Sequence, residues 1–180
     1  MPRYVALLRG INVTGRNKIA MADLKQLCGA LGHTDVVTYV QSGNLIFTSR
    51  AQKQAAIGQK IGGQIKKDLG LDVRVLIRTP AELRKIIDHN PFAHAKDAPK
   101  STYVTFLAAA ADKERVRALG GFEAPPDEYR IDGLHVYLRC PEGYGRSKLN
   151  NTFWERKLAV DATTRNWNTI NACLALADGA

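Results

Sequence analysis

The sequence has no long hydrophobic run, and it has few cysteines. No apolar stretch approaches the ~20 residues that a membrane-spanning helix requires. The first residues lead directly into a predicted strand and show no cleavable signal pattern, so we expect a cytoplasmic protein without a membrane partner. The cysteines, Cys28, Cys140 and Cys173, lack the paired spacing of a zinc site or a disulfide framework. They are typical of buried thiols in a reducing compartment, and we expect no metal and no cofactor.

Catalytic patterns are missing as well. None of the four histidines has a nearby serine or cysteine placed as a nucleophile. The aromatic signature of RNA-recognition domains is absent from the predicted strand Leu45–Thr48. The sequence therefore identifies no catalytic residue.

What the sequence does have is excess positive charge. The formal net charge is +9 over 180 residues, which raises affinity for nucleic acids and other polyanions. The cations are scattered along predicted helices, however, as Lys60, Lys66 and Lys67 illustrate, and such scatter is typical of solvated helix faces. A nucleic-acid-binding protein is therefore an alternative interpretation.

Hydrophobic periodicity predicts an α/β (α+β) protein in which the element order β-α-β-β-α-β occurs twice. Both faces of the first strand are apolar, which predicts a central position in its sheet. Thr79, Pro80 and Glu82 form a capping box that starts a further helix. The predicted strands of the two halves are Tyr4–Leu8, Val36–Val40, Leu45–Thr48, Val73–Ile77, Thr102–Leu107, Glu128–Ile131, Leu134–Arg139 and Ala162–Arg165.

This order is that of the ferredoxin-like split β-α-β unit. We therefore predict two ferredoxin-like halves, residues 1–88 and 101–180, joined by a linker at 89–100. Each half should have an antiparallel sheet with its helices packed on one face. The second half also carries a C-terminal helix, predicted at Trp167–Ala177.

The strongest functional signal is the stretch Arg9–Lys18, between the first strand and the first helix. Its glycines permit positive φ angles, and consecutive backbone N–H groups in such a turn can bind an anion. The spacing resembles a phosphate-binding P-loop, but that motif needs a lysine and a hydroxyl directly after the second glycine. Arg16 and Asn17 stand there instead, which excludes nucleoside triphosphate hydrolysis. The alternatives are a simpler anion site and a structural loop whose asparagines bond their own backbone.

Three further polar blocks occur. Gln41–Asn44 is predicted to be a hairpin turn, and Tyr144–Leu149 and Thr163–Asn168 each precede a predicted helix. Helix N-termini attract anions, but hydroxyl and amide side chains at such places also act as ordinary caps. Each block alone is therefore open to a structural interpretation.

Four sequence blocks together resemble the bacterial domain of unknown function 1697 family. They are Ala6–Val13, Tyr39–Asn44, Ser147–Leu149 and Ala162–Thr169, in the family's order, and the similarity covers nearly the whole chain. The resemblance implies a small cytoplasmic α/β protein with ferredoxin-like units. It implies no activity and assigns no catalytic residue.

Strand order brings two of these blocks together. In a β-α-β-β-α-β unit the first and third strands are adjacent and antiparallel, so the first loop should lie beside the Gln41–Asn44 turn. We predict one polar cleft that binds a phosphate- or carboxylate-bearing ligand in a monomer or homodimer, formed by Arg9, Asn12, Lys18, Ser42, Asn44, Arg165 and Asn168. The third interpretation is a structural or interaction protein in which the asparagines satisfy buried backbone groups.

Overall fold

The structure is a computed structural model, and it describes residues 1–179. These residues divide into two compact units. The first unit comprises Met1–Lys85 together with the chain from Asn171 onward, and the second comprises Ile86–Ile170. Domain borders at residues 88 and 101 stay a prediction.

The first unit is built on a four-stranded antiparallel sheet of order β2-β3-β1-β4. β1 is central and pairs with both β3 and β4. This order confirms the predicted ferredoxin-like arrangement. The elements are β1 (Arg3–Leu8), α1 (Met21–Ala30), β2 (Thr34–Tyr39), β3 (Asn44–Thr48), α2 (Gln54–Leu69), β4 (Val75–Arg78) and α3 (Pro80–Asp88).

The second unit repeats this order in a sheet β6-β7-β5-β8, again antiparallel. Asp132 pairs with His135, so the two-residue hairpin turn is Gly133-Leu134, one residue later than the Asp132-Gly133 turn that the sequence predicts. Gly133 has φ +58°, as the first residue of such a turn requires. The elements are α4 (Ala98–Ser101), β5 (Thr102–Leu107), α5 (Lys113–Leu119), β6 (Glu128–Asp132), β7 (His135–Arg139), α6 (Asn151–Leu158) and β8 (Ala162–Asn166). The last helix, α7 (Trp167–Ala177), begins in this unit and continues into the segment from Asn171 onward that belongs to the first unit.

Polar side chains set the helix starts where the sequence predicts them. Glu82 Oε2 accepts a bond of 2.7 Å from the backbone N–H of Thr79, and Thr79 Oγ1 accepts one of 3.2 Å from the N–H of Glu82. This reciprocal pair is the predicted capping box. Asp112 Oδ1 likewise accepts from two backbone N–H groups at the start of α5. Both helices thus begin where a side chain satisfies their unpaired donors.

In each unit two helices cover one face of the sheet, α1 and α2 in the first unit and α5 and α6 in the second. α1 and α2 pack against Tyr4, Ala6, Leu8, Leu45 and Phe47, which alternate along β1 and β3. The second core is formed by the buried side chains Leu107, Leu119, Val136, Leu138, Cys140, Leu149, Phe153, Trp154, Leu158 and Ala162. Among the described residues, no helix combines the length and the hydrophobicity needed to cross a bilayer.

Two glycines let α2 lie close against β4 and the residues just before it. A Cβ atom on Gly58 would lie 2.5 Å from the carbonyl oxygen of Val75, and one on Gly62 would lie 2.9 Å from that of Val73. Gly63, in the same helix, has open space around it. Close packing on the sheet therefore explains the glycines at 58 and 62, and it does not explain the one at 63.

We expect Gly58→Ala and Gly63→Ala to change stability in opposite directions. Alanine favours a helix over glycine by about 1 kcal/mol, so Gly63→Ala should raise the free energy of unfolding by up to that amount. Gly58→Ala should lower it by about 1–3 kcal/mol, because the new methyl group forces helix and strand apart. Urea denaturation of both variants measures the difference. Equal effects in the two variants would show that α2 does not approach β4 as closely as described.

The two units also match at the level of single residues. Val5 in β1 pairs with Arg78 in β4, and Val104 in β5 pairs with Arg165 in β8. Both arginines are buried, and each is followed by a residue that caps the next helix. This correspondence supports an origin by duplication and allows each loop to be compared with its counterpart in the other unit.

Candidate functional site

Residues 9–20 form a folded loop between β1 and α1, held by its own asparagines. Asn12 Nδ2 donates to the carbonyl of Ile19 at 3.0 Å, and Asn12 Oδ1 accepts from the Ile19 N–H at 2.9 Å. Asn17 Nδ2 donates to the carbonyl of Gly10 at 3.0 Å. Asn12 and Asn17 thus bond the backbone of their own loop, as the structural interpretation of this loop expects. Positive φ angles occur at Gly10, Asn12, Thr14, Gly15 and Asn17.

The Gln41–Asn44 turn lies directly against this loop. Asn12 Nδ2 donates to the carbonyl of Gln41 at 2.8 Å, and the N–H of Leu8 donates to the carbonyl of Gly43 at 2.9 Å. A Cβ atom on Gly43 would lie only 2.5 Å from Ile11 Cδ1, so glycine is required for this contact. The strand order thus brings the two loops together as expected.

The predicted site residues of the first unit have different roles. Asn44 is fully buried, and its Nδ2 donates to the carbonyl of Tyr39 at 2.8 Å and to Ser42 Oγ at 3.1 Å. These bonds stabilise the hairpin turn. Arg9 is half-buried, and its backbone N–H donates to the carbonyl of Arg74. Lys18 is exposed.

A cavity of about 480 Å³ lies where the two loops meet. We call it the first-loop pocket; its lining residues are Asn12, Gly15, Lys18, Ile19, Ala20 and Gln41. Ala20 is the N-cap residue of α1, and no side chain caps that helix. Lys18 Cε lies 4.0 Å from where a Cβ of Gly15 would be, so the lysine stem packs over this glycine. The pocket therefore places one cation beside a helix start without a side-chain cap, which suits an anion.

Gln41 was missed as a single site residue by the sequence prediction, which chose Ser42 and Asn44 from the same block. The side chain of Asn12, which is distant in sequence, donates a hydrogen bond to the Gln41 carbonyl and so fixes Gln41 in the pocket. The signal that points to it is the strand pairing, because residues just before β3 must face the end of β1.

Arg165 and Asn168 belong to the second unit. The Arg165 side chain is buried, and its Nη1 donates to Thr163 Oγ1 at 2.8 Å and to the carbonyl of Thr164 at 3.0 Å. Asn168 is exposed in the first turn of α7. A cleft shared by these two residues and the first loop stays a prediction.

The polar block around Tyr144 forms a hydrogen-bond network inside the second unit. The Tyr144 hydroxyl lies 3.1 Å from Thr164 Oγ1 and accepts from the Asn151 N–H, and Thr164 Oγ1 lies 2.8 Å from Thr105 Oγ1. Burial raises the pKa of Tyr144 above its ordinary value, so the phenol is neutral at pH 7. This network joins β5, β8 and α6, and its members act as structural groups.

Nucleophilic chemistry has little support among the thiols. All three cysteines are buried, and none of them forms a disulfide within the described residues. Burial raises the pKa of Cys28 to about 12 and that of Cys140 to about 11. Both are therefore protonated at neutral pH, whereas a reactive cysteine needs its thiolate. In the described part of the chain, no cluster of histidine, cysteine and acidic residues has the geometry to hold a metal ion.

Known proteins match this chain by family and by fold. The solved structure of the conserved bacterial protein SP0830 from Streptococcus pneumoniae has a TM-score of 0.77 to it, with 24% identity over 98% of each chain. This likeness shows the fold. No curated protein matches. The family model described as "Protein of unknown function (DUF1697)" matches residues 1–137, which is most of the chain. The chain therefore belongs to this family of unknown function.

Proposed function

We propose that this protein binds a small phosphate- or carboxylate-bearing ligand in the first-loop pocket. The observation that carries the proposal is the pocket itself, where Lys18, the Gln41 turn and the start of α1 meet. Its volume of about 480 Å³ lies within the range of small-molecule sites. The helix start and the lysine both favour negative charge. The carboxylate of Asp23 in the first turn of α1 opposes the binding of an anion, and the overall net charge of +9 favours it.

A comparison of the two units supports a role beyond folding. In the first unit, residues 9–20 connect β1 to α1, and residues 40–43 connect β2 to β3. In the second unit the equivalent connections are only 108–112 and 133–134. The same sheet order forms with the short connections, so the fold does not need the long ones. Both long connections lie at one end of the first sheet, and both line the pocket.

The wider set of predicted ligand-binding residues is retained in this proposal. Arg9 and Ser42 belong to the loops that form the pocket, Asn44 begins β3 next to them, and Arg165 and Asn168 belong to the second unit. We also propose a cytoplasmic location, which three buried cysteines without a disulfide among the described residues support.

We expect Lys18→Gln to weaken anion binding about tenfold, since a hydrogen bond to a charged group contributes ~1.5–3 kcal/mol. Binding is measured by calorimetry and thermal shift with inorganic phosphate, citrate and sugar phosphates. A ligand at ~100 times its dissociation constant should stabilise the protein by ~2.7 kcal/mol. Lys18 is exposed, so the unliganded variant should keep the stability of the parent to within ~0.5 kcal/mol.

Lys25→Gln is the matched control. Lys25 is an exposed lysine of α1 outside the pocket, and its loss removes the same charge from the same unit. The proposal fails if no anion binds, or if Lys25→Gln weakens binding as much as Lys18→Gln does.

A further inference from the structure

The second unit has a basic groove of its own, distinct from the first-loop pocket. It is a cavity of about 640 Å³ between the loop after α5 and one face of α6. We call it the α6 groove; its lining residues are Phe122, Lys148, Asn150, Thr152, Phe153, Arg156 and Lys157. Thr152 and Arg156, like Phe153 and Lys157, are four residues apart and so share a helix face.

This groove is formed where the second unit has longer connections than the first. Residues 120–127 join α5 to β6, and residues 140–150 join β7 to α6. The counterparts in the first unit are only residues 31–33 and 49–53. The long segments supply Phe122, Lys148 and Asn150 to the groove. The first unit has the same sheet order with short connections, so the long connections of the second unit are not needed for folding and can form a binding site.

The positive charge of the groove is not neutralised by acidic partners. Lys148, Arg156 and Lys157 are exposed, and none of them makes an ion pair within the described residues. The nearest acid in sequence, Glu155, accepts a bond of 3.1 Å from the backbone N–H of Ala162. Three cations around one cavity of this size are complementary to a phosphate ligand, which can take several charge-assisted bonds.

An aromatic ring is held at the edge of these cations. Phe122 is 36% exposed, and its ring lies 5.2 Å from that of Phe153. Phe153 in turn packs edge-on against the fully buried Trp154 at 4.9 Å. The backbone of Phe122 is also fixed, because its N–H donates to Leu119 and its carbonyl accepts from the Tyr129 hydroxyl, both at 2.9 Å. The exposed ring is therefore a rigid surface for a planar group.

We propose that the α6 groove binds a nucleotide, with phosphate on its cations and the base against Phe122. Cations that follow a phosphate backbone, combined with an aromatic surface for a base, are the pattern of sequence-tolerant nucleotide contacts. A free nucleotide and a nucleotide within a single strand offer the same chemistry to this groove. An acidic peptide would use the cations but leave the ring without a partner.

The test measures binding of labelled thymidine oligonucleotide by fluorescence anisotropy, and binding of ribonucleoside triphosphates, inorganic phosphate and poly-aspartate by calorimetry. We expect the double variant Arg156→Gln/Lys157→Gln to weaken nucleotide binding at least about tenfold. Phe122→Leu keeps an apolar side chain but removes the ring, and it should weaken binding about fivefold or more. If the ribonucleoside triphosphates bind more tightly than the oligonucleotide, the groove takes a free nucleotide. If the oligonucleotide binds more tightly, the groove takes a nucleotide within a single strand.

The control is Lys113→Gln, which removes one exposed cation of the same unit outside the groove. Melting temperatures of all variants verify that they fold, as expected for substitutions of exposed residues. The proposal is overturned if no nucleotide probe binds, or if Lys113→Gln weakens binding as much as the double variant Arg156→Gln/Lys157→Gln does. It is also overturned if poly-aspartate binds as tightly as the oligonucleotide, or if Phe122→Leu changes nothing. None of these outcomes depends on Lys18, so this proposal and the proposed function fail separately.

Discussion

Replacing Trp154 with alanine is expected to lower the free energy of unfolding by about 3–5 kcal/mol. Trp154 is fully buried at the centre of the second core, with its ring 4.9 Å from Phe153 and 5.2 Å from Tyr129. Its indole Nε1 donates to the carbonyl of Leu149 at 3.1 Å. The alanine variant loses the apolar burial, leaves a large cavity and removes the partner of a buried carbonyl.

Circular dichroism in urea measures this loss without relying on the tryptophan signal. Trp154→Phe is the matched variant, because it keeps an aromatic ring and removes the N–H donor. It should cost less than the alanine variant, with ~1–3 kcal/mol from the unpaired Leu149 carbonyl. The chain has two units, which can unfold in two separate transitions. In that case the loss of stability is assigned to the transition of the second unit. A loss below ~1 kcal/mol for Trp154→Ala would contradict the described core, since such a loss is typical of exposed positions.

Replacing Asn12 with alanine is expected to lower the free energy of unfolding by about 2–3 kcal/mol. The Asn12 side chain makes three hydrogen bonds, two with the backbone of Ile19 and one with the carbonyl of Gln41. Its backbone also has φ +54°, a conformation that asparagine adopts more readily than alanine. The variant therefore loses the bonds that join the two loops and adds backbone strain.

Asn12→Gly separates these two causes. Glycine accepts a positive φ without strain but makes no side-chain bond, so its stability should lie between those of the parent and the alanine variant. Both variants should also weaken anion binding at the first-loop pocket, because Asn12 fixes the position of Gln41 there. Urea denaturation and phosphate titration of the same preparations measure both effects. If Asn12→Ala binds phosphate as tightly as the parent does, the position of Gln41 that Asn12 fixes is not needed for anion binding, and that part of the proposed function is wrong.

Some of the candidate site followed from strand order. Because β1 and β3 are adjacent and antiparallel, the end of β1 had to meet the start of β3. Asn12 and the Gln41–Asn44 turn are therefore neighbours by topology. The α6 groove was not predicted, although the four-residue spacing of Thr152 with Arg156 and of Phe153 with Lys157 was a signal in the sequence. A charged helix face is usually only solvated, so spacing alone did not identify a groove.

The sequence by itself determined the β-α-β-β-α-β order of each half, the central position of β1 and the capping box at Thr79, and it placed the hairpin turn after Asp132 to within one residue. These features depend on side-chain period, capping and turn chemistry, which act between residues close along the chain. The sequence did not predict α4, which begins in the stretch expected to be a linker. The tertiary structure alone decided that Asn12 bonds to Gln41 and that Phe122 lies beside α6. It also decided that Gly58, unlike Gly63, touches a strand. These contacts join segments far apart in sequence, and their geometry depends on how loops and helices pack after the sheet has formed.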